Sequence, residues 1–191
     1  GEITLEPDAA AARARQARLT VSVHEQPGDR RVPCRLTIVD NRGVLVPLAG
    51  LSDDLAVRPG VAYAATGQAT LALAPGRYTV HATRGFEYGH DSKPVELAAG
   101  ASSEVALTIR REVPTPGLIA VDTHVHTLTH SGHGDATLDE RVVTLAGEGI
   151  ELPVATEHNL FTSHAQAAAR LGLAGAFTSV MGDEVTTARG H

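Results

Sequence analysis

The sequence predicts a two-part chain: an N-terminal all-β antiparallel sandwich, then a βαβαβ segment with a parallel sheet. Three observations carry that expectation. Between residues 19 and 112, short runs alternate apolar and polar side chains and are separated by turn sequences, the pattern of strands with one buried face. VPTPG at 113–117 interrupts this pattern, because two prolines disfavour helix and ladder alike. Beyond it, residues 118–191 alternate strand-like and helix-like runs, an order that yields a parallel sheet.

The elements follow in order. Residues 1–18 read as an N-terminal extension, strand-like at 3–5 and then helical or a connector through PDAAAARARQAR, with Asp8 as a candidate cap. The sandwich, 19–112, holds alternating runs at 19–23, 34–39, 69–73, 78–82 and 105–109. Between them lie PGD, NRG, RPG, APG and AAG, all turn chemistry, and ALAPGRYTVHATRGFEY reads as a hairpin. After the linker, 118–121 is a short apolar strand. Residues 138–148 have helical spacing, with Thr137 or Asp135 as cap and Gly149 as stop. A second strand at 152–156, an Ala-rich helix at 163–171 closed by Gly172, and a third strand at 176–181 complete the order.

Composition limits the function classes. The chain has 191 residues, 42% hydrophobic and 20% charged, with 3% aromatic and no Trp. It is therefore globular, with cores built from Ala, Val, Leu and Ile. A formal net charge of -6 argues against nucleic-acid and anionic-membrane partners. No apolar run reaches the roughly 18 to 20 residues that span a bilayer. Cys34 is the single cysteine, so neither an internal disulfide nor a thiolate metal cluster is available. The start at Gly1 and the stop at His191, directly after Gly190, suggest a processed or cut chain.

The stretch VDTHVHTLTHSGHGD, 121–135, concentrates the chemistry. It carries His124, His126, His130 and His133 between Asp122 and Asp135. Glu157 and His158 follow the second expected strand, Asp183 and Glu184 the third, and His191 comes seven residues later. In a parallel sheet the carboxyl ends of the strands open onto one face, so three separate regions converge. In an extended segment, residues two apart point the same way, and His124 and His126 can present two imidazoles to one ion. Neutral imidazole suits Zn, Mn or Fe, and Glu184 adds a hard oxygen donor able to bridge two ions. Asp122 is placed to accept from an imidazole and orient it.

VDTHVHT, ATEHN and GDEVTTARGH resemble the first three motifs of the PHP superfamily, named for polymerase and histidinol phosphatase. A sandwich leading into DTHVHTLTHSGHGD is most similar to the carbaryl-hydrolase-like, CehA/McbA-type branch. The sandwich itself resembles carboxypeptidase-regulatory-like and transthyretin-like domains. The resemblance implies that 118–191 is the first βαβαβ portion of a distorted (β/α)7 barrel, truncated after the third motif. It implies two or three divalent ions: His124, His126 and Glu184 on the first, Glu184 and His191 on the second, His158 with His133 on a third. His130 or Asp135 is the alternative to His133, and Glu157, standing where the family has Asp, is assigned a supporting role.

The resulting expectation is a metal-dependent hydrolase that activates water against a phosphoester, amide, ester or carbamate bond of a small-molecule substrate. The missing C-terminal half or a second copy of the chain would complete the site. The alternative is a non-catalytic chain in which the sandwich is a binding or interaction module beside an incomplete metal-binding barrel. His164 reads as a surface helix residue, His81 and His90 as structural or surface positions, and Arg84 and Tyr88 as residues able to approach the barrel mouth. Ser131, Ser163 and Cys34 show no triad-like arrangement. Sandwiches of this type often accompany exported enzymes, which points to a periplasmic or secreted location.

Overall fold

The computed structural model describes residues 16–187 and residue 190. The expected strand at 3–5, the helix led by Asp8, and His191 lie outside the described residues.

Ten strands build the first layer pair: β1 (Ala17–Gln26), β2 (Arg30–Arg31), β3 (Cys34–Asp40), β4 (Ala49–Gly50), β5 (Leu55–Arg58), β6 (Val61–Ala64), β7 (Gln68–Leu73), β8 (Gly76–Thr83), β9 (Asp91–Leu97) and β10 (Ser102–Arg110). One sheet runs β10-β1-β7-β4 with β2 paired to β1, and the other runs β5-β6-β3-β8-β9. Period-two burial decides which face meets the other sheet. Leu19, Val21 and Val23 of β1, Cys34, Leu36 and Ile38 of β3, and Val105, Leu107 and Ile109 of β10 all enter one core. Each fully buried aliphatic side chain of this kind contributes about 1.5–3 kcal/mol.

Two details depart from the expected sandwich. β1 and β10 pair in parallel, with Val21 opposite Val105, so the sandwich is not wholly antiparallel. The first and last strands lie side by side and run the same way because the rest of the sandwich serves as their crossover. The expected hairpin at ALAPG is not a hairpin. β7 pairs with β1 and β4 while β8 pairs with β3 and β9, so the chain passes from one sheet to the other at that turn. The alternation pattern did not reveal β5, β6 or β9. The first two are short, and β9 carries Pro94 and charged residues at a sheet edge, where proline is tolerated.

The remainder contains β11 (Val121–Val125), α1 (Leu128–Ser131), α2 (Leu138–Gly147), β12 (Leu152–Ala155), α3 (Ala165–Arg170) and β13 (Val180–Met181). Thr137 and Glu140 form a reciprocal capping box that starts α2. β11, β12 and β13 pair in parallel in chain order. The expectation of a (β/α)7-barrel portion is corrected: these strands have five, four and two residues and make a small open sheet. Residues 176–179 do not extend the third strand because Phe177 turns into the helical core, beside Val142, Val143 and Leu173. Among the described residues the chain is predominantly β-sheet with few helices.

α2 joins this sheet to the sandwich. Ala56 and Ala65 belong to the same buried cluster as Val142 and Ala146. Tyr63 Oη donates to Glu148 Oε1 at 2.7 Å, and Arg58 pairs with Glu140 at 2.9 Å and Asp135 at 3.0 Å. Among the described residues no helix is long and apolar enough to cross a membrane.

Candidate metal centre

The ends of the three parallel strands bring distant residues together. β11 leads directly into His126, and Thr127 caps α1 by accepting from His130 N. The backbone beyond β12 and β13 keeps pairing: Gly182 N donates to Ala155 O at 2.8 Å and Glu184 N to Glu157 O at 3.2 Å. That pairing carries Glu184 alongside His158. Gly182 permits the close approach, since a Cβ there would lie 2.7 Å from Val154 Cγ1 and 3.0 Å from Ala155 O.

Two triads of ligand atoms result. His124 and His126 Nε2 lie 2.8 Å apart, and each faces Glu184 Oε2, at 2.8 and 2.7 Å. His126, His133 and His158 form the second group, with His133 and His158 Nε2 2.7 Å apart. His126 belongs to both. A tetrahedral ion with metal–nitrogen bonds of about 2.0–2.1 Å holds its ligands about 3.3 Å apart. An ion entering the first triad therefore needs only a spread of roughly half an ångström, and two imidazoles with one carboxylate suit Zn, Mn or Fe. Burial holds the His126 imidazole below its ordinary range, with the neighbouring histidines acting in the same direction and Glu184 opposing them. The neutral, ligating form is thereby favoured.

A buried acid organises this cluster from behind. Glu157 is fully buried and accepts from Thr127 N at 3.1 Å, from Thr127 Oγ1 at 2.7 Å and from Ser131 Oγ. Burial alone would raise its carboxyl, but these hydrogen bonds outweigh burial and hold it low. Ser131 Oγ also lies 3.1 Å from His126 Nδ1, so Glu157 positions an imidazole through one hydroxyl. Thr186 Oγ1 stands 2.7 Å from His158 Nδ1. Sequence reasoning missed both hydroxyls; the signal available for Ser131 was its position between the histidines, whereas Thr186 carried none.

Other expected residues sit elsewhere. Asp122 accepts from the backbone N–H of His124 at 3.2 Å rather than orienting an imidazole. Asp135 pairs with Arg58, and neither it nor His130 belongs to either ligand group. His164, expected at the surface, is fully buried, and neither ring nitrogen has a hydrogen-bond partner. Arg84 and Tyr88 line a cavity beside the helical segment, away from the histidine cluster.

No protein-family model matches the chain, and no curated protein matches it. Solved structures similar to it include GBS52, the minor pilin of Streptococcus agalactiae (17% identity, 55% of this chain and 48% of that one, TM-score 0.38). The Bacillus anthracis TIE protein (13%, 51% and 17%, TM-score 0.37) and the shaft pilin SpaA of Lactobacillus rhamnosus GG (11%, 53% and 49%, TM-score 0.37) are also similar. The chain thus spans about half the length of the two pilins and less of the TIE protein. The expected PHP resemblance, and with it the hydrolase activity and the small-molecule substrate, is corrected on the finding that no family model matches and that the similar solved structures include pilins and a pilus-presented adhesin.

Proposed function

We propose that this chain is a non-catalytic β-sandwich interaction module whose C-terminal segment is stapled by a divalent metal ion. The observation that carries the reading is the convergence of His124, His126 and Glu184 from the ends of β11 and β13. The three-stranded sheet is too short to hold itself firmly, and small units of this size gain stability from structural metals. An ion held by these residues ties the first strand to the third across β12. Each imidazole nitrogen offers one lone pair, so His126 Nε2 serves one ion, and the first triad is the tighter site. A second ion at His133 and His158 would bind more weakly.

The test is metal content of the purified chain by plasma mass spectrometry, paired with thermal melting before and after a chelator. The expected result is about one equivalent of Zn, Mn or Fe and a melting temperature that falls on chelation and recovers on readdition. No bound metal and no response to added ions would sink the reading. An extracytoplasmic location is part of the same proposal, supported by the sandwich type, and appearance of the chain in the medium or the cell-envelope fraction checks it.

A further inference from the structure

A cavity of about 490 Å³ lies away from the histidine cluster, between the sandwich and the loop 171–176. Its walls carry Arg30, Arg31, Arg84, Arg111, Tyr88 and Glu151. Arg30 pairs with Glu25 at 3.0 Å, and Arg111 pairs with Glu87 and with Glu151 at 3.4 Å. Arg31 donates to Gln68 and makes no ion pair among the described residues. Arg84 makes none either, and its Nε is buried without an acceptor. Four guanidinium groups therefore face three carboxylates, in a chain whose net charge is -6.

The Arg84 side chain is held in place rather than draped over the surface. Its guanidinium lies 5.3 Å from the centre of the Tyr88 ring, and Arg111 lies 5.7 Å from the same ring. Tyr88 is fixed in turn by donating to Glu25 Oε1 at 2.7 Å. Next to Arg84, Gly85 has φ +58, and any Cβ there would collide with Glu148 O. A half-buried guanidinium with an unsatisfied N–H and no close ion pair of its own is costly, and the Glu25 carboxylate that acts on it electrostatically is already paired with Arg30. The Nε itself is shut off from solvent, so the rest of the guanidinium is what a ligand in the cavity would meet, and a preset donor loses little entropy on binding.

We propose that this cavity receives a carboxylate from an acidic peptide segment of a partner protein, held by Arg84 and Arg31. A single excess positive charge matches one carboxylate better than a dianionic phosphate. The volume falls within the range of about 300–1,000 Å³ that accommodates ligands well beyond a bare ion, enough for the residue bearing the acid and part of a neighbour. The choice of a protein partner rests on the interaction-module reading, but nothing in the cavity depends on the metal centre.

The experiment is fluorescence anisotropy with a fluorescein-labelled Gly-Ser-Glu-Gly-Asp peptide, on metal-replete protein. The controls are the peptide with Gln and Asn in place of the acids, and inorganic phosphate and acetate as competitors. The acidic peptide is expected to bind, to weaken as salt rises, and to lose about tenfold in affinity with Arg84→Gln. Arg84→Lys, which keeps the charge but not the fork, should lose most of that as well. The exposed Arg31→Gln gives the same reading if Arg84→Gln fails to fold. No binding of the acidic peptide, equal binding of the amide peptide, or unchanged affinity in both variants overturns the proposal. Displacement by phosphate at equal or lower concentration than free acetate also overturns it, and assigns the cavity to phosphate. Loss of metal with peptide binding intact would instead count against the metal-stapled reading alone.

Discussion

His126 Nε2 lies 2.7 Å from Glu184 Oε2, although one residue follows the first parallel strand and the other follows the third. His126 also faces His133 and His158, with its ring centroid 4.7 Å from that of His158. It is the one side chain common to both ligand groups. His126→Ala should therefore abolish stoichiometric metal binding, whereas His133→Ala should leave about one equivalent bound. Equilibrium dialysis against Zn with both variants tests the order, and equal losses would remove the distinction between a tight and a weak site.

Glu157 acts on that cluster without touching a ligand atom. Its carboxylate takes three hydrogen bonds from Thr127 and Ser131, and Ser131 reaches His126 Nδ1. Glu157→Ala leaves buried donors unpaired, at about 1–3 kcal/mol. Groups that orient ligands cost about 10–100-fold in metal affinity when removed. Ser131→Ala should lower metal affinity with a smaller effect on melting, because it removes one donor to Glu157 together with the contact to the imidazole. Identical losses of affinity and melting temperature in both variants would show that the carboxylate only supports the fold.

What the residues disclose locally and what only the fold decides divide along physical lines. Strands such as β1, β3 and β10 were legible because one face is buried and one is not, so Val21 and Leu36 alternate with polar neighbours. β6 was not, because Ala62 and Ala64 are too small to mark a face. The parallel pairing of β1 with β10 depends on contacts between the two ends of the sandwich, which no local pattern encodes. In the site, imidazoles and Glu184 stood out by residue type, while the placement of Asp135 on Arg58 depends on how α2 docks. A resemblance carried by short motifs overstated what followed, since similar local histidine spacing does not require a closed barrel.

The seam between α2 and the sandwich makes its own prediction. Gly147 is buried at the end of α2, and a Cβ there would lie 2.7 Å from Tyr63 Cδ1 and 3.0 Å from Cys34 O. In an ordinary helix, alanine in place of glycine helps by about 0.5–1 kcal/mol. Here the backbone carbonyl of β3 cannot move aside without disturbing the sandwich, so overpacking of about 1–3 kcal/mol wins. Gly147→Ala should lower the melting temperature by several degrees. Gly175→Ala, where the new methyl meets nothing within 4 Å, should change it little. Equal behaviour of the two variants would mean that α2 is not seated against Cys34 and Tyr63.

His164 provides the last prediction, and its sign follows from burial. The ring is fully buried and neither nitrogen has a partner. Burial lowers its pKa from the ordinary value, Glu157 opposes that shift, and His130 and Arg141 reinforce it. In the unfolded chain the same imidazole takes up a proton at about pH 6.5. Below that pH the unfolded state binds more protons than the folded one, so this group lowers stability as pH falls from about 6.5 toward its depressed folded value. Above about pH 6.5 both states hold the ring neutral and the contribution vanishes. His164→Leu keeps much of the volume and removes the proton site. Melting curves from pH 5 to 8, with chelator present so that metal-ligand protonation is common to both proteins, should converge in slope near pH 8. They should separate below pH 6.5, the wild type falling faster. Parallel curves across the whole range would mean that His164 finds an acceptor for its proton inside the fold.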